Sequence, residues 1–178
     1  MKIGIIYTCY NMEDYVSRSI LAFVLAKSSQ LSNCDFYISA VSLPFREYKD
    51  FPQKKDSTLD YLKKCLSTGA IDSLITEPEF IPEAQARTLA AQKALEAGCD
   101  YLWIADGDEF ITVQQIEKII NFISLDRFVT WFRLSLKNFV FDDQTYLEEP
   151  FTPARIWKVE SNGYKFKEFN FDNDALYN

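Results

Sequence analysis

Between Asp106 and Glu109 the chain sets three carboxylates within four residues, directly after the apolar run Leu102-Trp103-Ile104-Ala105. Like charges this close repel, and each loses hydration at the end of a buried strand. A divalent cation turns that liability into a site, because carboxylate oxygens are the ligands that Mg2+ and Mn2+ prefer. In an extended segment Asp106 and Asp108 project to the same side, within reach of one ion. Asp-x-Asp at the C-terminal end of a strand suggests a metal that grips a diphosphate. The plainer alternative is a solvated acidic loop that favours the dipole of a helix over residues 112–123. The apolarity of the preceding strand favours metal.

Composition narrows the chemistry further. The 178 residues are 16% aromatic, with fifteen Phe, and carry a net charge of −7. One domain over 1–178 is expected, and nonspecific nucleic-acid binding is not, since no basic run is present. The longest apolar stretch, Ile20 to Ala26, is too short for a transmembrane segment, and the acidic residues Glu13 and Asp14 do not suit a signal peptide. Cys9, Cys34, Cys65 and Cys99 are scattered without a C-x-x-C pair, which fits reduced thiols in a cytoplasmic protein. The chain has no His, so imidazole ligands and His-activated nucleophiles are excluded. Acid–base work falls to carboxylates, Lys, Tyr or Cys.

The acidic cluster needs a scaffold, and the hydrophobic pattern supplies one. Lys2 to Tyr7 reads as a strand covered on both faces, Asp35 to Ser42 as a second, Ser73 to Thr76 as a short third and Cys99 to Ala105 as the fourth. A helix follows Asn11 and runs to about Ser28, with Asn11 as its cap and Asp14 in its acidic first turn. Pro44 to Lys55 reads as a loop, and Ser57 to Leu66 as another helix. A further helix begins near Pro82 and ends at Gly98, with Ala86, Leu89, Ala90, Ala94 and Ala97 on one face, small enough to approach a sheet closely. Thr112 and Gln115 form a capping box for the helix through Ile123. This alternation predicts an α/β fold with a mainly parallel sheet flanked by helices. After residue 125 the pattern turns β-rich and aromatic, with strands expected at Phe128 to Leu136, Ala154 to Val159 and Tyr164 to Phe169, extending one end of the sheet.

Taken together, three segments resemble the family 2-like glycosyltransferases of GT-A, Rossmann-like fold. Ile3-Gly4-Ile5-Ile6-Tyr7-Thr8-Cys9-Tyr10-Asn11 is similar to their first strand and T-x-Y-N turn. Glu83-Ala84-Gln85-Ala86-Arg87 through Asp106-Gly107-Asp108-Glu109-Phe110 looks like their helix, strand and D-x-D block. Pro153-Ala154-Arg155-Ile156-Trp157-Lys158 is similar to their later P-x-R strand. The resemblance implies a metal-dependent transferase moving a sugar from a nucleotide-diphospho-sugar donor to a glycan or other hydroxyl acceptor. Residues 1–125 would form the nucleotide-sugar-binding half and 126–178 the acceptor-side half. Thr8, Tyr10, Asn11 and Arg87 would lie near the nucleotide. Asp106 and Asp108 would hold Mn2+ or Mg2+ and, through it, the donor. For an inverting enzyme the nearest counterpart of the family's base is Glu168, with Asp143 second. The chain departs from the family in three places: Ser39 to Leu43 offers hydroxyls where an Asp is common, no His completes the metal shell, and the C-terminal region is short.

Each residue also has a plainer role. Asn11 caps a helix as readily as it meets a ligand, Tyr10 packs, and Arg87 pairs with Glu83 one turn earlier. The aromatic second half is mostly core, although Trp131, Trp157 or Tyr164 is suited to stacking on a sugar. Two other functions share this scaffold: a non-catalytic sugar-nucleotide or glycan-binding module, and a sugar-phosphate nucleotidyltransferase. The second usually opens with a Gly-rich, basic loop, which Thr8 to Asp14 lacks.

Overall fold

The computed structural model describes residues 1–46, 49, 56–125, 129–137 and 151–159. In chain order these form β1 (Lys2–Thr8), α1 (Glu13–Ser19), α2 (Leu21–Ser28), a 3-10 turn at Leu31–Asn33, β2 (Asp35–Val41), α3 (Thr58–Ser67), β3 (Ser73–Ile75), α4 (Glu83–Glu96), β4 (Tyr101–Asp106), α5 (Val113–Leu125), β5 (Trp131–Arg133) and β6 (Ala154–Lys158). The six strands make one sheet in the order β3-β2-β1-β4-β6-β5. The first four are mutually parallel, whereas β6 runs antiparallel to β4 and β5 antiparallel to β6. The expected extension of the parallel sheet by late aromatic strands is therefore observed, with Leu102 opposite Trp157 and Trp131 opposite Trp157.

The unbroken apolar character of β1 and β4 follows from helices on both faces. Ile3, Ile5 and Tyr7 pack with Val16, Ile20 and Phe23 of the first helical pair and with Ile116 and Ile120 of α5. Ile6, Leu102 and Ile104 point the other way, onto Ala86, Ala90, Ala91 and Ala94 of α4. The alanine face lets α4 come so near that a Cβ on Gly4 would stand 2.5 Å from the Ala94 Cβ. On the opposite face Trp103 meets Phe23 edge-on, with ring centroids 5.3 Å apart. Among the described residues, no helix is long and apolar enough to cross a membrane.

Several local expectations change. The first helix is two segments meeting at Ile20, where Ser19 turns its hydroxyl to the buried Tyr7 phenol at 2.5 Å. Asn11 does not cap it. Asn11 adopts a left-handed conformation (φ 52°), Met12 takes the cap position, and the free N–H groups of Met12 and Glu13 go to Thr58 Oγ1 and Asp56 Oδ2. Glu13 in turn accepts from the Ser57 N–H and hydroxyl, so α1 and α3 satisfy each other's N-termini. The Thr112–Gln115 capping box forms as expected, at 2.8 and 3.2 Å. The strand expected from Phe128 shortens to Trp131–Arg133. Most of the Pro44 to Lys55 loop and the strand expected at Tyr164 to Phe169 lie outside the described residues.

Candidate functional site

Strand order reverses between β1 and β4: β1 connects outward to β2, and β4 to the strands on the other side. The crevice beyond the C-terminal ends at such a reversal is where open α/β sheets bind ligands. The last register pair there is Thr8 with Asp106. Immediately beyond it the Gly107 N–H donates to the Thr8 carbonyl at 2.8 Å, tying the acidic turn to the end of β1. A side chain at position 107 would collide with Cys9 Sγ at 2.8 Å and Met12 Sδ at 2.6 Å, so glycine is needed for that approach.

The acidic segment is a turn, which corrects the expectation of an extended one. β4 ends at Asp106, and the Glu109 N–H donates to the Asp106 carbonyl at 3.0 Å. Asp106 and Asp108 consequently do not alternate along a strand: Asp106 is half-buried and Asp108 exposed.

Asp106 is held by two arginines from opposite parts of the chain. Arg87 of α4 donates to Oδ1 at 2.6 Å, and Arg155 of β6 donates to Oδ2 at 3.1 Å. Arg87 also bonds Glu83, and Arg155 also bonds Glu109, both through Nη2. The result is a chain of alternating charge, Glu83–Arg87–Asp106–Arg155–Glu109. The arginine side chains are only 17% and 11% exposed, so these pairs are less screened than surface ones. Burial pushes the Glu109 carboxyl above its ordinary value, Arg155 opposes the rise, and Asp106 adds to it.

Three polar atoms here are buried without a hydrogen-bond partner among the described residues: Thr8 Oγ1, Arg87 Nε and Arg155 Nε. Buried polar groups are nearly always satisfied, so three orphans around one carboxylate indicate a site suited to further polar atoms. Across the turn, burial pushes the Cys9 thiol up to about 12, with the charges of Asp56 and Asp108 contributing.

The structure thus brings Thr8, Arg87 and Asp106 together, with Asp108 next in the same turn. Tyr10 and Asn11 sit on the loop leaving β1, where a shallow acidic depression is lined by Asn11, Met12, Glu13, Asp14 and Asp56. Glu168 and Asp143 lie outside the described residues. Arg87 does pair with Glu83, and reaches Asp106 as well. Sequence reasoning assigned no role to Arg155 or Glu109. The signal for Arg155 was its place in the P-x-R segment, and for Glu109 its spacing of three from Asp106, which suits a turn.

Two exposed or half-buried carboxylates are hard-oxygen donors of the kind Mn2+ and Mg2+ take. No group of three His, Cys, Asp or Glu able to hold a metal occurs among the described residues. Asp106, with both oxygens engaged by arginines, and the exposed Asp108 are the carboxylates of this turn that an ion would have to recruit, with the rest of its shell supplied from outside the protein.

No protein-family model matches the chain, and no curated protein matches it in sequence. Its fold is similar to that of TarS from S. aureus, with a TM-score of 0.55 and 15% identity over 89% of this chain and 28% of the TarS chain. A 1–349 fragment of TarS gives 0.53 and 15% identity over 89% of this chain and 47% of the fragment. TarS 1–349 in complex with UDP-GlcNAc gives 0.49 and 18% identity over 70% of this chain. This chain therefore spans less than half the length of the TarS chains it resembles. At such identity the likeness establishes the architecture alone: a mainly parallel α/β sheet, six-stranded among the described residues and flanked by helices, of the GT-A, Rossmann-like kind.

Proposed function

We propose that this chain is a glycosyltransferase domain that binds a nucleotide-diphospho-sugar with a divalent ion and transfers the sugar to a hydroxyl acceptor. One observation carries the proposal: at the β1/β4 reversal Asp106, the register partner of Thr8 with its unsatisfied hydroxyl, is held by Arg87 and Arg155. The fold shared with TarS supports it, and the UDP-GlcNAc complex of TarS makes that donor the first to test.

In this proposal Thr8, Tyr10 and Asn11 line the nucleotide, and Asp106 and Asp108 hold Mn2+ or Mg2+ against the diphosphate. When bound, such an ion acts as a Lewis acid toward the phosphate oxygens. Arg87 supplies fixed positive charge as negative charge grows on the leaving diphosphate, in a half-buried place where its field is weakly screened. Glu168, or Asp143, takes the proton from the acceptor hydroxyl.

Incubation with UDP-GlcNAc and Mn2+ should give slow release of UDP even without an acceptor, through transfer to water. Nucleotide binding without any turnover would instead favour a non-catalytic binding module of the same fold.

A further inference from the structure

We infer that Arg155 is a displaceable counterion, which occupies the acidic turn while the donor is absent and moves to the diphosphate when the donor binds. The inference rests on the nucleotide-sugar function proposed above. It starts from how poorly Arg155 uses its hydrogen-bonding capacity. A guanidinium offers five N–H donors in a planar fork that matches the paired oxygens of a phosphate. Arg155 serves both Asp106 and Glu109 through the single nitrogen Nη2, while its Nε is buried with no partner among the described residues. A bidentate anion would satisfy Nε and an Nη together, which the present carboxylate pairing does not.

Arg87 has the same orphan Nε, but its situation differs. Its second carboxylate is Glu83, one turn away on the same helix and outside the acidic turn. Arg155 comes from the short strand β6 and, among the described residues, pairs with the carboxylates of the turn that contains the proposed metal ligands. A divalent ion at Asp106 and an arginine at Asp106 compete for the same charge. An incoming cation therefore releases Arg155 from Asp106, its longer pairing at 3.1 Å, and leaves it hinged on Glu109 with donors to turn toward the accompanying diphosphate. Arg155 is then a brake on binding of the ion alone and a contributor to binding of the ion with its nucleotide.

These two roles give opposite signs on removal of the charge. Isothermal titration of MnCl2, and of UDP and uridine at saturating MnCl2, would be run on the intact chain, on Arg155→Gln and on Arg155→Lys, with Mn2+ electron paramagnetic resonance as a second count of bound ion. Arg155→Gln should bind Mn2+ alone severalfold tighter and UDP about tenfold or more weaker, with uridine affinity unchanged. Arg155→Lys, which keeps the charge and guards against a folding failure of the Gln variant, should restore part of the UDP affinity. A parallel loss of Mn2+, UDP and uridine binding with a lower melting temperature would overturn the inference by making Arg155 structural. UDP affinity unchanged in both variants would overturn it while leaving the nucleotide-sugar function in place. Failure of the unaltered chain to bind UDP at saturating MnCl2 would overturn both.

Discussion

Thr8 and Asp106 close the parallel β1–β4 ladder as its last register pair, and Thr8 is 5% exposed with its hydroxyl unpaired among the described residues. Stability alone gives no reason for a hydroxyl there, since an unsatisfied buried polar group costs about 1–3 kcal/mol. Thr8→Val keeps the β-branched shape and removes the orphan. It should leave the domain as stable as before or more stable by up to about 1 kcal/mol in urea denaturation, while weakening nucleotide binding. A clear loss of stability would show that the hydroxyl has a structural partner.

The approach of α4 to the sheet rests on Gly4. A methyl there would sit 2.5 Å from the Ala94 Cβ and 3.0 Å from Leu102 Cδ2. Gly4→Ala should cost about 1–3 kcal/mol by overpacking. Adding Ala94→Gly should recover part of that loss, less about 1 kcal/mol for glycine inside a helix. Additive losses in the double variant would mean that the two positions are not in contact.

Much of this scaffold was legible because short-range patterns encode it. Continuous apolar strands implied cover on both faces, the alanine stripe of α4 implied close packing, and Thr112 with Gln115 announced a helix start. The acidic end of β4 and the Thr8 segment were likewise expected together at the C-terminal ends of strands, where their register places them. The contacts that make the site were not, because they join distant positions. Arg87 reaches Asp106 across 19 residues and Arg155 reaches it across 49; the segments that hold them were recognisable, but no local pattern pairs either arginine with Asp106. Asn11 misled for a related reason: Thr58 and Asp56, far along the chain, satisfy the N-terminus that a local cap would have served. The Asp106–Asp108 pair misled because a two-residue alternation holds only while the strand continues, and β4 stops at Asp106.

Glu109 gives a pH signature. Burial raises its folded-state value above the ordinary carboxylate one, against the opposing charge of Arg155 and with the help of Asp106. A raised carboxyl contributes stability that is fully present below the ordinary Glu range and is lost as pH climbs through the folded value. The unfolding free energy of the unaltered chain relative to Glu109→Gln should therefore fall as pH rises from the ordinary Glu range upward. Urea denaturation across that window measures it, and a constant or rising difference would contradict the burial effect.

Asp108 is the exposed member of the D-x-D pair, so its charge should matter to ligands and little to folding. Asp108→Asn should change stability by no more than about 0.5 kcal/mol. It should abolish the Mn2+-dependent part of nucleotide binding and with it UDP release from UDP-GlcNAc. Unchanged turnover in this variant would remove Asp108 from the metal site.

Thermal unfolding with Mn2+ alone, UDP alone and both together tests the paired-carboxylate site most directly. A ligand at one hundred times its Kd stabilises a domain by about 2.7 kcal/mol. With Asp106 already held by two guanidinium groups, Mn2+ alone should raise the melting temperature little, and Mn2+ with UDP should raise it by more than the two separate shifts combined. A shift with UDP that is indifferent to Mn2+, or no shift under any of the three conditions, would contradict a cation clamped between these aspartates and a diphosphate.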